Sequence, residues 1–457
     1  MVLRLARLFD CVVFAVKMRQ SAARGRLRTG LISAVLCVSM TSAGFADEDL
    51  KARIKDTNAS LTDLWVYNDI KQGMDEARRQ NKPLFVTFRC VPCKDCAAFD
   101  ADVASGNAGV RELAKDKFVS VRQVEMKGVD LSLFQFDHDL NWAGMFLNAD
   151  GVVYARYGTQ SSEGSDAYNS IEGLINTMRR VLEIHEQYPR NAQQLRGKRG
   201  PEKDVTNALE LPGLRNPSKY AQQTTRQNCI HCHNIHDAEH QEALNAGRYT
   251  PDLLLKYPLP DNIGLKMDRK SGVKIAEVIA ESPAAVAGLQ VGEDVVRMEG
   301  QPITSIADMQ WVLHHRPLGD VEVEIETSRT GKHLLKLKAG WKKYDFSWRG
   351  SMWNAPPRFE AWAPVLDKDA KQKLGLPENE TALEVRWINR GGKGGERAFA
   401  DGLREKDVIV ALDGKPFQGD TRQFNMHIKL NYKVGDDLRL TILRQGERRD
   451  VVIRLVE

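Results

Sequence analysis

Apolar residues at Leu61, Leu64, Trp65, Ile70, Met74 and Ala77 recur at helical spacing and predict an amphipathic helix over 61–80, stopped by Asn81-Lys82-Pro83. The unbroken run Leu84-Phe85-Val86-Thr87-Phe88 predicts a short buried strand. A helix opening at Cys93 and running through Phe99 follows, then a strand over 118–124. Two further strands, 143–148 and 152–157, flank the turn Ala149-Asp150-Gly151, and a last helix covers 168–185. Residues 188–219 are polar and mixed with Gly, Pro and Arg, which predicts a linker. Helices are expected on both sides of Cys229–His233, within 220–246.

Beyond residue 261 the pattern changes to short strands. Gly272–Val278 is one, and the turn Ser282-Pro283-Ala284-Ala285 leads to Gly288–Val296. Ile306–His314 is expected as a helix. A divergent repeat follows: Ala400–Ile409 repeats the turn and strand, and Asp413-Gly414-Lys415-Pro416 matches Glu299-Gly300-Gln301-Pro302. The stretch between the copies holds Trp341, Trp348, Trp353 and Trp362, expected to pack the two together, since aromatic rings bury large areas.

Charge changes the picture at the N-terminus. Arg19, Arg24, Arg26 and Arg28 precede the short apolar run Leu31–Met40, and Gly44 and Ala46 are small residues placed for cleavage before Asp47. Residues 1–46 therefore read as a cleaved export signal, with a periplasmic or otherwise exported product and no transmembrane segment after cleavage. The chain has 66 basic and 61 acidic side chains; without the seven basic and one acidic residues of 1–46, 59 stand against 60. The near-neutral remainder gives no argument for nucleic acid.

Five of the seven cysteines lie beyond the signal: Cys90, Cys93, Cys96, Cys229 and Cys232. They are too few for a disulfide scaffold and fall in two tight clusters, which points to reactive or ligating roles. Cys93-Lys94-Asp95-Cys96 opens a helix after a strand, where unpaired N–H groups and the helix dipole favour a thiolate. Cys93 would be the nucleophile and Cys96 the resolving thiol, with Cys90 as a competing one; a structural disulfide or metal staple is the other use of such a pair. Cys229-Ile230-His231-Cys232-His233 has the CxxCH form of c-type haem attachment, with Cys229 and Cys232 as thioether anchors and His233 on the iron. A zinc site built from Cys229, Cys232, His236 and His240, or a plain disulfide, stands beside it.

With the helix, strand, CxxC, helix, strand, hairpin, helix order in place, residues 58–188 resemble the thioredoxin-like superfamily, on Lys82–Phe88 and Pro92-Cys93-Lys94-Asp95-Cys96. The resemblance implies a cis-proline before the hairpin; Asn141-Trp142-Ala143-Gly144 holds none. Asn262-Ile263-Gly264-Leu265, Ser282–Ala285 and Gly288–Val296 resemble PDZ domains of the periplasmic high-temperature-requirement proteases. That implies capture of a protein or peptide C-terminus, with Asn262, Ile263, Gly264 and Leu265 lining the first carboxylate site and Leu374, Gly375 and Leu376 the second. The whole resembles exported proteins that join a thioredoxin-like domain, a CxxCH segment and PDZ domains, some of them selenoproteins.

The expected fold is thus multidomain α+β: signal 1–46, thioredoxin-like α/β domain 47–188, linker with a short helical CxxCH segment 189–257, and two PDZ-like barrels or sandwiches, 258–340 and a divergent 341–457. The expected function is thiol–disulfide redox chemistry with a haem c and a thiol or disulfide protein partner, the PDZ domains docking it. The alternative is a non-catalytic envelope scaffold with zinc or a disulfide at the CxxCH segment. No Gly-x-Ser-Gly nucleophile loop is found, and His138, Asp139 and Ser170 lack motif context, so a serine protease is not expected.

Overall fold

A computed structural model describes residues 43–457 apart from 62, 94–96 and 344. The expected export signal and Cys96 therefore lie outside the described residues, except for the last few signal positions. Residues 44–457 form one compact unit. Among the described residues no helix is long and apolar enough to cross a membrane.

After helix α1 (Ala43–Ile54) the chain builds a five-stranded sheet. Its strands are β1 (Val66–Tyr67), β2 (Leu84–Arg89), β3 (Val119–Gln123), β4 (Trp142–Leu147) and β5 (Val153–Tyr157), in the order β1-β3-β2-β4-β5. β1, β3 and β2 run parallel; β4 and β5 are antiparallel. Helices α2 (Ile70–Gln80), α3 (Ala97–Ala104), α4 (Ala108–Lys117) and α5 (Ile171–Gln187) complete this part. β2 is buried at all six positions, as a strand covered on both faces must be. The helix expected from residue 61 begins only at Ile70. Asp69 caps it by accepting from Gln72 N–H, while Leu64 and Trp65 reach the core from a loop. Asn81, in the left-handed region at φ 50°, ends it.

Residues 189–232 do not behave as a linker. Single-turn helices α6 (Ala192–Leu195) and α7 (Pro217–Tyr220) lie in a segment whose Leu195, Lys198, Ala208 and Leu211 are buried. Leu131 N–H donates to Thr206 O, tying the segment to the first domain. Helix α8 (His233–Asn245) then follows the CxxC pair directly.

Next come β6 (Leu265–Met267), β7 (Ile275–Val278), α9 (Pro283–Val286), β8 (Val295–Met298), β9 (Gln301–Pro302), α10 (Ile306–His314), β10 (Val321–Thr327) and β11 (Gly331–Leu337). The C-terminal region has β12 (Ala361–Trp362), α11 (Lys368–Lys373), β13 (Leu383–Glu384), β14 (Trp387–Ile388), α12 (Lys393–Ala400), β15 (Val408–Leu412), α13 (Thr421–Asn431), β16 (Asp437–Arg444) and β17 (Glu447–Arg454). The sheets are open, not the expected barrels: orders β11-β10-β8-β9 and β13-β15-β16-β17, each region adding a two-stranded ribbon, β6-β7 or β12-β14. The tryptophans do not join the copies as expected. Trp341 sits in the core of the first copy, Trp348 packs on the thioredoxin-like core, and Trp362 is 43 % exposed.

Candidate functional site: two cysteine motifs in contact

Cys90 leaves β2 directly, and its N–H donates to Asn141 O at 3.3 Å. Its carbonyl accepts from Cys93 N–H at 3.1 Å, so Cys90-Val91-Pro92-Cys93 closes as a tight turn and is itself a CxxC. Arg89 wraps this turn, donating to Cys90 O and Cys93 O, and pairs with Asp100 at 3.2 Å. Asp100 also takes Arg122, which pairs with Asp56 as well; all four side chains are buried. Such an array is strongly destabilised by losing one partner, because a buried charge is left unpaired. The turn carrying the thiols is therefore fixed from beneath. The Cys93 thiol donates to Asn141 Oδ1 at 3.1 Å, so Asn141 stands where the thioredoxin pattern implies proline.

The second motif lies across the first. Ile230 N–H donates to Glu125 Oε1 at 3.0 Å, and Ile230 O accepts from Met126 N–H at 3.4 Å. These bonds lay residues 229–231 along the chain just beyond β3. The Cys229 thiol points to Val124 O at 3.6 Å, and Cys232 joins the apolar cluster of Phe88, Met126 and Leu140. His231 reaches back so that its Nδ1 is 3.1 Å from Cys90 Sγ. Two motifs separated by 141 positions thus share one site.

Burial governs its protonation. Burial pushes the Cys232 thiol up to about 12 and Cys229 higher still, the Glu125 carboxylate adding to the latter. A hydrogen bond with Cys93 raises Cys90, helped by burial and by the Cys232 and Cys93 charges. Burial holds His231 down at about 4, with His233 and Lys219 adding repulsion, so it is a neutral imidazole at neutral pH.

The geometry does not fit a haem. Cys229 and Cys232 are 4 and 7 % exposed and packed against protein, and His233 lies so close to Gly350 that a methyl added there would meet its ring at 3.2 Å. The zinc alternative fails to converge. His236 bonds Glu239 and Lys256, and His240 stacks on His236 at 6.4 Å, away from the cysteines. Among the described residues the one grouping with metal-ligand spacing is Asp137, Asp139 and His236. Arg349 already pairs with both of those carboxylates, at 2.6 and 3.1 Å.

The expected peptide sites also change. Ile263 and Leu265 are fully buried, and Gly264 N–H is spent on Asp261 O. Asn262 donates to Leu259 O and accepts from Lys343 N–H. Helix α10 is buried from Ile306 to Leu313, pressed against β5 and the chain after it. Asp308 accepts from Arg156 N–H and pairs with Lys198 at 2.8 Å, Arg156 lies 3.5 Å over the Trp311 ring, and Thr159 donates to Gln310. Tyr168 packs on the same core. The first groove is thus covered by residues 156–170.

In the C-terminal copy, β12 pairs with β14 as β6 pairs with β7. The residue before β12, Glu360, has φ 50°, matching Gly264 at φ 91° before β6. The loop equivalent to Ile263–Leu265 is therefore Phe359-Glu360-Ala361. Leu374, Gly375 and Leu376, expected to bind carboxylate, instead end helix α11. The glycine-rich loop has a local cause: Gly394 and Gly395 N–H groups donate to the Glu360 carboxylate, and a Cβ at Gly392 would meet it at 2.1 Å. A cavity of about 200 Å³ opens here, lined by Trp353, Phe359, Trp362, Trp387 and Lys429 among others.

Of the remaining named residues, Ser170 caps α5, Asp139 binds Arg349 and Ser351, and His138 is buried beside Phe136.

A thioredoxin-like family matches residues 65–149, and a PDZ domain family matches 262–336. The chain therefore carries a thioredoxin-like domain followed by a PDZ domain. Curated relatives include a probable periplasmic serine endoprotease DegP-like from Pseudomonas putida (strain W619), 28 % identical over 205 residues, 44 % of this chain and 40 % of the relative. The protein of the same name from Pseudomonas savastanoi pv. phaseolicola is 27 % identical over 203 residues, 44 % of this chain and 40 % of that one. The chain spans about two fifths of the length of these relatives. Among solved structures, the HtrA-type protease AlgW with decapeptide is 14 % identical, covering 30 % of this chain and 49 % of its own, at a TM-score of 0.19. The relatives correct the expectation that the chain is not a serine protease: proteins named as serine endoproteases match 44 % of it.

Proposed function

We propose that the chain is an exported thiol–disulfide exchange protein that docks partners through its C-terminal groove. The observation that carries this is the meeting of the Cys90–Cys93 turn with His231 of the second motif, Cys90 Sγ 3.1 Å from His231 Nδ1. In this reading residues 47–188 carry the exchange and 189–257 bring the second cysteine pair against it. Residues 258–340 brace the first domain and 341–457 form a second PDZ-like unit. Cys93, only partly buried, attacks a partner's disulfide, and Cys96 or Cys90 resolves the mixed disulfide. The periplasmic name of the relatives supports export. An extended C-terminal segment would add beside β12, its last apolar side chain entering the tryptophan-lined cavity.

The test is reduction of a disulfide-bonded protein by the fully reduced chain. Cys93→Ser is expected to slow it by about 100-fold or more, as removing a nucleophile does. An unchanged rate would leave a binding scaffold instead. The kinship with serine endoproteases favours a second reading, peptide hydrolysis by a serine nucleophile. Hydrolysis of an unfolded protein that is blocked by a serine-directed phosphonate and untouched by Cys93→Ser would establish it.

A further inference from the structure

We propose that Cys229 and Cys232 form a buried second dithiol that exchanges disulfide directly with Cys90 and Cys93, so that the CxxCH segment is an internal electron store. This rests on the thiol-exchange reading of Cys93.

Three observations carry it. First, the CxxC pair is held in place by Ile230, which bonds the Glu125 carboxylate and Met126 N–H, and His231 between its cysteines bonds Cys90 Sγ. Second, Cys232 packs in one cluster with Phe88 and Leu140, next in the chain to the strand end that carries Cys90 and to Asn141, whose carbonyl holds Cys90 N–H; its charge, like that of Cys93, opposes ionisation of Cys90. Third, exposure is graded. Cys90 and Cys93 are partly buried, whereas Cys229 and Cys232 are buried, so a protein partner meets the first pair before the second. A cofactor anchor would need open space at the two buried sulfurs; a relay needs a third sulfur nearby, and His231, next to Cys232, is bonded to Cys90 Sγ.

The exchange balances within the chain. Take a chain in which Cys90 and Cys93 are joined as a disulfide and Cys229 and Cys232 are thiols. The Cys232 thiolate attacks Cys90 Sγ, forming the Cys232–Cys90 bond, breaking Cys90–Cys93 and releasing Cys93 as a thiolate that takes up a proton. Cys229, having given up its own proton, attacks Cys232 Sγ. The Cys229–Cys232 disulfide forms and Cys90 leaves as a thiolate, takes up a proton and returns to its hydrogen bond with His231. Two electrons and two protons pass from the buried pair to the outer pair, and no outside oxidant or reductant enters. Cys90 is the shared sulfur, which explains a third cysteine one CxxC repeat ahead of Cys93.

Two measurements on the full chain test this. The Cys229→Ser chain, reduced and then given one equivalent of a disulfide oxidant, should trap the Cys90–Cys232 bond, read by mass spectrometry of non-reduced peptides. In wild type the same treatment should yield the Cys229–Cys232 disulfide. The second is stoichiometric: fully reduced wild type should reduce one more disulfide equivalent of a protein substrate per chain than Cys232→Ser. Cys232→Ala serves as a second variant, and thermal melting confirms that each folds. If no Cys90–Cys232 or Cys229–Cys232 bond forms and the electron count is unchanged, the relay is overturned while exchange at Cys93 stands. If Cys93→Ser also leaves substrate reduction unchanged, the thiol-exchange reading itself has failed.

Discussion

The two C-terminal regions share a plan and differ in what lies against their grooves. Both pair a short ribbon, β6-β7 or β12-β14, with a four-stranded sheet and a groove helix, α10 or α13. In the first, every residue from Ile306 to Leu313 is buried, and Asp308 seals the helix down by pairing with Lys198 and accepting from the backbone N–H of Arg156 in β5. In the second, Trp362 and Trp387 are 43 and 54 % exposed beside an open cavity. The difference teaches that a PDZ sequence signature reports a fold and not a free groove. The region that the PDZ family matches is the one given over to bracing its neighbour.

The largest test of this comparison removes the seal. Asp308→Ala leaves Lys198, 1 % exposed, without its carboxylate. A loss of about 3–5 kcal/mol in urea unfolding is expected, as for breaking a buried pair from one side. Hydrogen exchange should speed up along α10 and not along α13; equal change in both would break the asymmetry.

The next largest acts on the open groove. Trp362→Ala should weaken binding of a C-terminal peptide by about 2 kcal/mol, roughly 30-fold, the scale of an aromatic anchor. Calorimetry with a peptide bearing an apolar C-terminus measures it. The same peptide should show no second site on the first copy unless Asp308 is also replaced.

Acid probes the seal through His314 at the end of α10. Burial holds its pKa well below the ordinary value, with the charges of His315, Lys256 and Lys342 adding to the effect and Asp137 opposing it. Its Nδ1 accepts from Tyr257 N–H, which requires an unprotonated nitrogen. A folded pKa below the unfolded one means the unfolded chain binds the proton first. Stability is therefore full above about pH 6.5 and falls as pH drops, by about 1.4 kcal/mol per unit for one such group. His314→Asn should show a shallower fall between pH 6.5 and 5 in chemical denaturation, whereas replacing the less buried His427 of α13 should change little.

Much of this arrangement is legible in the sequence, and the misses have physical causes. Helix α10 runs over 306–314 as expected, and Ser305 caps it by accepting from Asp308 N–H. The expected helix from 61 overshoots because Leu64 and Trp65 sit at helical spacing by coincidence; they reach the core from a loop, and the cap lies at Asp69. The expected second carboxylate loop centres on a glycine, whereas Glu360 adopts the left-handed region itself and anchors on Gly394 and Gly395. The contact of His231 with Cys90 spans 141 positions, and periodicity carries no trace of such a contact. The available signal is the odd cysteine, Cys90, one CxxC step ahead of a complete dithiol.

The smallest expected effect sharpens the assignment of that loop. Leu374 is 40 % exposed and follows the last turn of α11, outside the cavity between β12 and α13. Leu374→Ala should shift stability by no more than about 0.5 kcal/mol, as surface truncations do, and leave peptide affinity at the wild-type value. Phe359→Ala acts on a ring that is 1 % exposed, lines the cavity and packs on Phe424 at 5.6 Å. It should cost several kcal/mol of stability as well as binding, so Trp362→Ala, whose ring is half in solvent, is the cleaner partner for the comparison. If Leu374→Ala weakens the peptide and Trp362→Ala does not, the carboxylate site belongs at 374–376 after all, and the match between Gly264 and Glu360 is one of backbone shape alone.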